Sequence, residues 1–287
     1  MRIAELFAQG RPVVSFEFFP PKTDAGYTSL FKTIAELKKL DPGFVSVTWG
    51  AGGSTRRKTV ELVTRIQEEI GLTAMAHLTC VGASRADLNE ILDALQRSRI
   101  ENILALGGDA PPGYTPHSDG FTHADQLARF IRSRGSFCLG GACYPEVHPR
   151  ATSPDDDLRH LAAKVEAGVE FLISQLFFEN EDYLRFVDRV RARGIDVPVV
   201  AGIMPVISTA SIRRMAELSG AHIPEALAAE LDAAGDDEAA TMDVGVRWAT
   251  KQCRELLDRG AQGIHFYTLN RSPATRKVWT NLFEPQR

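Results

Sequence analysis

Two carboxylates lie in settings that suit acid–base or electrostatic chemistry. Glu17 lies in the apolar run VSFEFFPP, and Asp109 lies in the turn sequence GGDAPPG. Apolar surroundings disfavour the charged form of a carboxyl group, so the phenylalanines around Glu17 predict a raised pKa and a proton donor near neutral pH. A structural ion pair for Glu17 and a turn-bracing role for Asp109 are the alternatives.

Further polar side chains lie where apolar runs of the chain end. His77 could equally be a satisfied core histidine, and Gln175 could bond to the backbone. The functional hypothesis therefore depends on their convergence at one rim of a fold, because a single polar residue after a strand is common. The set comprises Thr48, His77, Tyr144, Glu146, His148, Gln175, Thr268, Asn270 and Arg271.

Three kinds of chemistry can be weighed for such a rim. A Schiff-base lyase needs a lysine at a strand end, and none of the strand ends offers one. A metal hydrolase lacks support from H-E-x-x-H or a comparable ligand spacing. A cofactor reductase needs a carboxylic acid, hydrogen-bonding groups around a ring system and apolar walls, which the residue types fit best. The hydrolase would have to recruit Glu17, His77, Asp109 and His148.

A glycine-rich stretch, GAGGST (Gly50–Thr55), follows the second apolar run. Its backbone N–H groups could hold an anion at the start of a helix. The stretch matches neither the P-loop nor the dinucleotide-binding fingerprint. An N-cap by Ser54 or Thr55 is the simpler interpretation.

The elements that must position these residues alternate regularly along the chain. Short, near-continuous apolar runs are typical of parallel strands that are covered on both faces. The predicted strands are Val13–Phe19, Phe44–Trp49, Thr73–Leu78, Asn102–Leu106, Phe137–Cys143, Phe171–Gln175, Val199–Ile203 and Gly263–Tyr267.

Amphipathic segments separate these strands. Ser84 with Asp87 predicts a capping start for one helix, and glycines at 71, 135, 168, 194 and 260 predict helix ends. The predicted helices are Ser29–Leu40, Lys58–Ile70, Asp87–Gln96, Ala124–Arg134, Leu158–Ala167, Tyr183–Arg193, Ser211–Leu218 and Asp243–Asp258.

This alternation predicts the α/β class and a single (β/α)8 TIM barrel, with a doubly wound sheet as the alternative. An extra helical insertion is expected around Pro224–Ala234, before the last predicted helix. In such a barrel chemistry takes place at the carboxyl ends of the strands, where the polar residues above occur. No linker or fixed repeat interrupts the pattern, so residues 1–287 are expected to form one catalytic barrel domain.

The composition disfavours several classes of protein. Of the 287 residues 44% are hydrophobic and 24% charged, and the net charge of −4 offers no basic run for nucleic-acid phosphates. The four cysteines form no C-x-x-C pair, which favours a reducing compartment over a disulfide scaffold. No signal peptide or membrane-spanning run is recognisable. We therefore expect a cytoplasmic enzyme that binds neither nucleic acid nor membrane.

Nine motifs give the chain a resemblance to the methylenetetrahydrofolate reductase family. Each motif alone is weak, but all nine occur in the family's order and span nearly the whole chain. The form it resembles is the bacterial catalytic domain, without the regulatory extension of eukaryotic members. The motifs are FEFFPPKT (16–23), VSVTWGAGGST (45–55), AHLTC (76–80), GGDAPPG (107–113), YPEVHP (144–149), DLRHLAAKVEAG (157–168), ISQLFFE (173–179), GIMPV (202–206) and HFYTLNR (265–271).

The resemblance implies reduction of 5,10-methylenetetrahydrofolate to 5-methyltetrahydrofolate, with NADH or NADPH first reducing bound FAD in a ping-pong hydride transfer. Glu17 would protonate the folate during ring opening, and Asp109 would lie beside the flavin and pterin and stabilise a cationic iminium ion. Gln175 would contact both pterin and nicotinamide, and Arg271 the folate. The implied cofactor-binding residues are Thr48, Trp49, Ala51, His77, Gly108, Asp109, Tyr144, His148, Ala151, Asp157, His160 and Lys164.

One departure from the family pattern follows the fourth strand. The family usually reads L-R-G-D there, whereas this chain reads LGGD, with Gly107 in place of an arginine implied in flavin binding. The departure predicts weaker retention of FAD. Direct hydride transfer from NAD(P)H to folate without flavin is one alternative, and a non-catalytic folate carrier is another. We also expect a homo-oligomer and a place in one-carbon metabolism and methionine biosynthesis.

Overall fold

The strands pair in chain order and close into a barrel. The computed structural model describes residues 1–49, 53–110, 113–115 and 117–284, and in it every strand runs parallel to its neighbours and the last pairs with the first. This closure confirms the predicted TIM barrel against the open, doubly wound alternative. The strands are β1 (Val13–Phe18), β2 (Phe44–Val47), β3 (Ala74–Thr79), β4 (Asn102–Leu106), β5 (Cys138–Cys143), β6 (Phe171–Ser174), β7 (Val199–Ile203) and β8 (Gly263–Tyr267).

Helices connect the strands on the outside of the barrel. Several begin earlier than predicted because hydroxyl side chains upstream, such as Thr23, Ser153 and Ser208, accept hydrogen bonds at their N-caps. The predicted capping box of Ser84 and Asp87 is confirmed. The helices are α1 (Asp24–Lys38), α2 (Gly53–Arg65), α3 (Arg85–Arg97), α4 (Ala124–Arg134), α5 (Pro154–Glu166), α6 (Asn180–Ala192), α7 (Thr209–Ser219), α8 (Glu225–Ala234), α9 (Glu238–Asp258) and α10 (Pro273–Phe283).

The α2 helix begins before the residues that were expected to cap it. Its first residue is Gly53, so Ser54 and Thr55 lie within the first turn, and the N-cap interpretation is wrong. The rest of the glycine-rich stretch, residues 50–52, lies outside the described residues, and so does the predicted cofactor-binding position Ala51.

Two short elements were missed in the sequence. A 3-10 helix spans Ile3–Gln9, and α10 follows β8 to complete the eighth strand–helix unit. Pro273 at the first helical position and the buried pair Ala274 and Val278 are signals that could have predicted α10. The predicted insertion, α8, lies in the connection between β7 and β8 and packs on α9.

The barrel has an apolar core on each side of its wall. Inside, at the amino ends of the strands, Phe44, Met75 and Phe171 pack together, and Ile3 and Leu6 of the 3-10 helix close this end. Each fully buried side chain of this size contributes roughly 1.5–3 kcal/mol. Outside, a second cluster packs the strands against the helices. The wall is therefore fixed from both faces.

Ion pairs of Glu170 with two arginines hold the start of the 3-10 helix to the barrel. Both carboxylate oxygens of Glu170 accept hydrogen bonds from Arg2, at 2.9 and 2.8 Å, and Oε1 also accepts one from Arg132 at 2.6 Å. The backbone N–H of Ile3 donates to Asn102 Oδ1 at 2.8 Å. These bonds seal the amino end of the barrel and leave the carboxyl end as its open mouth.

Among the described residues, no helix combines the length and apolar character needed to cross a membrane. All four cysteines are buried and free of disulfide bonds.

Candidate active site

Above the apolar inner layer, towards the mouth, the interior of the barrel is polar. Ser15, Ser46 and His265 are fully buried, and His77 is nearly so. The strand register places Glu17 beside Ser46 of β2 on one side and Tyr267 of β8 on the other. We call Ser15, Glu17, Ser46, His77 and His265 the polar layer. Buried polar groups of this kind must satisfy one another, which fixes their orientation.

Glu17 lies between two histidines in the polar layer. Its Oε2 atom is 3.5 Å from His77 Nε2 and 3.5 Å from His265 Nε2. The other ring nitrogen of His265, Nδ1, is hydrogen-bonded to Ser15 Oγ at 2.7 Å. Thr268 Oγ1 donates to the backbone carbonyl of Glu17 at 2.6 Å. With 18% of its side chain exposed, Glu17 faces the mouth from a rigid position.

The pKa of Glu17 departs from the expectation based on its neighbours in sequence. Burial opposes ionisation, but the hydrogen bond from His265 and the nearby imidazoles outweigh burial, so the pKa of Glu17 lies below its usual value. The predicted raised pKa is therefore wrong for the free protein. Successive side chains of a strand point to opposite faces, and Phe16 and Phe18 belong to the outer core while Glu17 faces inward.

His77 is neutral at neutral pH. Burial lowers its pKa to about 4, more than the nearby Glu17 carboxylate raises it. Its Nε2 atom is buried and makes no aligned hydrogen bond to any described residue, although it lies 3.5 Å from Glu17 Oε2. Trp49, two residues after β2, has a buried Nε1 atom that also lacks a hydrogen-bond partner among the described residues. Thr48, before it, donates its backbone N–H to Phe18 O at 2.8 Å.

The loop after β4 approaches the loop after β5. Gly108 has a φ of +82°, and a Cβ there would lie 2.9 Å from Thr79 Cβ, so both the backbone conformation and the space require glycine. Asp109 follows it and is exposed. Burial, and then the charge of Asp109, raises the pKa of Tyr144 to about 12. The structure thus brings Gly108, Asp109 and Tyr144 together on one side of the mouth.

The loop after β5 is tied to α5. Asp157 Oδ2 accepts the backbone N–H of His148 at 3.1 Å, and the backbone N–H of Ala151 donates to His148 O at 2.9 Å. Lys164 donates to Ala142 O at 2.5 Å, and burial lowers its pKa. His160 is exposed and stacks on His123 with ring centroids 5.7 Å apart. It also lies 3.6 Å from Asp156 on the same helix, and none of its described contacts is with the polar layer.

The two predicted folate contacts differ in their surroundings. Gln175, directly after β6, accepts the backbone N–H of Leu176 at its own Oε1, 2.8 Å away. This is the backbone bond that was the structural alternative, and the amide NH2 group has no hydrogen-bond partner among the described residues. Arg271 is exposed after β8. Its neighbour Asn270 bonds both the N–H and the C=O of Phe19, at 2.9 and 2.8 Å, and so joins the loops after β1 and β8.

Sequence reasoning found His77 and Thr268 but missed Ser15, Ser46 and His265 of the polar layer. Ser15 precedes Glu17 by two residues and His265 precedes Tyr267 by two, so each shares the inward face of its strand. Polar residues at alternate positions of an apolar strand are the signal that could have found them. Tyr267 OH donates to Ser174 O at 2.7 Å, which places its ring beside the polar layer. The described residues contain no group of three or more potential metal ligands.

Comparison with known proteins identifies the family of this chain. The family model described as methylenetetrahydrofolate reductase matches residues 2–283. The chain is 41% identical over 271 residues to 5,10-methylenetetrahydrofolate reductase of Pectobacterium carotovorum subsp. carotovorum, covering 94% of this chain and 89% of that protein. It is 39% identical to the enzyme of the same name from Escherichia coli, covering 92% and 88%.

A plant relative is longer. Methylenetetrahydrofolate reductase (NADH) 1 of Arabidopsis thaliana is 36% identical over 98% of this chain, which spans about half (50%) of that protein's length. Among solved structures, a Clostridium thermocellum protein that binds two copies of 5-methyl-5,6,7,8-tetrahydrofolic acid superposes with a TM-score of 0.64 at 14% identity, covering 98% of both chains. At that identity the likeness shows the shared fold alone. From the family match and the bacterial relatives, the chain belongs to the methylenetetrahydrofolate reductase family.

Proposed function

We propose that the protein reduces 5,10-methylenetetrahydrofolate to 5-methyltetrahydrofolate, using NADH or NADPH as reductant through bound FAD. The observation that carries the proposal is Glu17, a partly exposed carboxyl group held between His77 and His265 at the mouth of a barrel of this family. A fixed acid facing an open mouth suits protonation of a bound substrate.

The described residues of the mouth fit FAD. The buried nitrogens Trp49 Nε1 and His77 Nε2 lack partners among them, as groups do that bind a polar heterocycle. Gly107 adds no side chain to the loop after β4, and Lys164 lies behind the loop after β5. Thr48, Tyr144 and the His148 loop complete a set of donors and apolar walls. FAD, when bound here, would supply a two-electron hydride carrier between nicotinamide and folate.

Glu17 would act on the folate as a general acid. In the free protein its carboxyl group is ionised at neutral pH, because its pKa lies below the usual value. A pterin over the mouth would displace the water that still reaches Glu17, and loss of water raises a carboxyl pKa. Glu17 would take up a proton from solvent as the folate binds, and would donate it to the folate nitrogen that leaves as the five-membered ring opens.

Other residues would orient and stabilise the substrate. The exposed Asp109 carboxylate would face the positive charge of the iminium ion formed by ring opening, where a fixed opposite charge lowers the barrier. The free amide NH2 group of Gln175 could donate to pterin in one half-reaction and to nicotinamide in the other. Arg271 is exposed next to Asn270, which joins the loops after β1 and β8, and would bind the carboxylates of a folate tail.

An absorption spectrum of the purified protein tests the proposal. With FAD added it should show a bound flavin that NADH or NADPH bleaches without air and that 5,10-methylenetetrahydrofolate restores. Turnover in the complete absence of flavin would instead support direct hydride transfer. Loss of an activity on chelation, without any flavin response, would support a metal hydrolase. Folate binding without turnover under any cofactor would support a carrier.

A further inference from the structure

A cationic side chain at the mouth stands outside the site described so far. Arg150 is exposed in the loop after β5, between His148 and Ala151. Its backbone N–H donates to His148 Nδ1 at 3.0 Å, and its Nη2 atom reaches Gly108 O at 3.5 Å in the loop after β4. The side chain therefore crosses from one loop to the other at the edge of the mouth.

The guanidinium group of Arg150 lies over Gly107. A Cβ built on Gly107 would be 3.9 Å from Arg150 Nη2 and would meet nothing nearer. Any longer side chain at position 107 would start out towards the space that this guanidinium occupies. The position where an arginine is missing is thus covered by an arginine from the next strand's loop.

The charge of Arg150 has no counter-ion within the described part of the chain. Two other exposed arginines, Arg159 and Arg193, are paired with Asp156 and Asp155. The contact of Arg150 with Gly108 O is long and uses one of five N–H donors. The positive charge is felt at the mouth, since burial and then Arg150 lower the pKa of His148. Most of its hydrogen-bonding capacity is left for a ligand.

We propose that Arg150 is a cofactor-binding residue that supplies, from the loop after β5, the cation absent at position 107, and that it binds the diphosphate of FAD. The inference rests on the proposed function and adds a residue to that site. A guanidinium group matches phosphate oxygens with two parallel hydrogen bonds, and the diphosphate is the permanently charged part of FAD. Retention of FAD is then not weakened by Gly107 in the way the sequence predicts.

Fluorescence titration of the apoprotein with FAD tests this directly. Arg150→Gln should weaken FAD binding about tenfold to a hundredfold, the effect of one lost charge-assisted contact. The matched control Arg185→Gln removes another exposed arginine, paired with Asp182 on α6, and should change FAD affinity by less than twofold. Riboflavin, which lacks the phosphates, should bind both variants as it binds the unmodified protein. Equal weakening for riboflavin would overturn the assignment to the diphosphate.

A second substitution separates a binding role from a folding defect. Gly107→Arg should restore FAD affinity to the Arg150→Gln protein but add little to the unmodified protein, where two guanidinium groups would compete for one place. The φ of Gly107 lies outside the left-handed region that favours glycine, so its backbone conformation does not oppose an arginine there. Unchanged FAD affinity in Arg150→Gln would overturn the inference alone. Absence of FAD binding in the unmodified protein and in Gly107→Arg would overturn the proposed function as well.

Discussion

At the residue scale, the chemistry of the mouth depends on how Glu17 is held. Two imidazoles face its carboxyl group at 3.5 Å, and one of them is fixed by Ser15 on the far side. The group is therefore ionised when the mouth is open to water, and in the proposed function it would become an acid only when a ligand excludes that water. Such an acid would be protonated only at the step that uses its proton, rather than throughout the catalytic cycle.

The burial of His77 predicts a specific loss of stability in mild acid. Its pKa is about 4 in the folded protein against 6.5 when unfolded, so the unfolded chain binds more protons between these values. The contribution of neutral His77 to the free energy of unfolding is fully present above pH 6.5 and is lost as the pH falls towards 4. Between pH 7 and pH 5, the free energy of unfolding measured with urea should fall by about 2 kcal/mol more in the unmodified protein than in His77→Asn. Equal losses would contradict a neutral, buried His77.

The charge of Asp109 should matter more for folate than for flavin. In folate reduction the full positive charge of the iminium ion exists before hydride transfer, whereas the nicotinamide gains its charge only as hydride leaves it, so Asp109→Asn should slow the folate half-reaction more, by about tenfold to a hundredfold. This loss is at or below the lower end of the range for such groups, because Asp109 is exposed in the free structure and water screens it. Stopped-flow measurement of each half-reaction, with NAD(P)H and with folate, makes the comparison. A folate half-reaction that is unchanged would argue for a turn-bracing Asp109.

At the element scale, the 3-10 helix closes the barrel through Glu170. Glu170→Gln removes the carboxylate that Arg2 and Arg132 share and leaves two guanidinium groups facing each other, which should destabilise the protein by about 1–3 kcal/mol. The control Glu181→Gln breaks only an exposed pair with Arg259 and should cost less than about 0.5 kcal/mol. Because this end lies opposite the mouth, kcat should be unchanged in both variants. Chemical unfolding and steady-state assays test the two parts.

Elements with a simple periodicity were predictable, and contacts across the barrel were not. The strands β4, β7 and β8 have the bounds that their apolar runs predict, because a strand buried on both faces carries the same signal along its whole length. The pairing of Glu17 with His265 joins residues 248 positions apart, and the register of β1 on β8 alone brings them together. For the same reason, the sequence neighbours of Glu17 predicted a raised pKa, whereas its partners across the barrel lower it.

At the scale of the whole molecule, we propose that residues 1–287 act as one catalytic domain, since the mouth draws residues from β1 through β8. A ligand bound there should stabilise the whole barrel rather than one loop. FAD at a hundred times its Kd should raise the free energy of unfolding by about 2.7 kcal/mol. The Tm of the protein, measured by far-UV circular dichroism, should rise with it. Release of FAD in a separate transition, with the Tm of the barrel unchanged, would contradict a site built from the entire barrel.

If Glu17 protonates folate, the two half-reactions of Glu17→Gln should respond differently when each is measured separately. Glutamine keeps the size and polarity of the side chain but cannot donate an acidic proton. NAD(P)H should bleach the flavin of Glu17→Gln at close to the normal rate, while 5,10-methylenetetrahydrofolate should no longer reoxidise it. Equal damage to both half-reactions would rule out Glu17 as the folate acid and assign it a structural role in the polar layer.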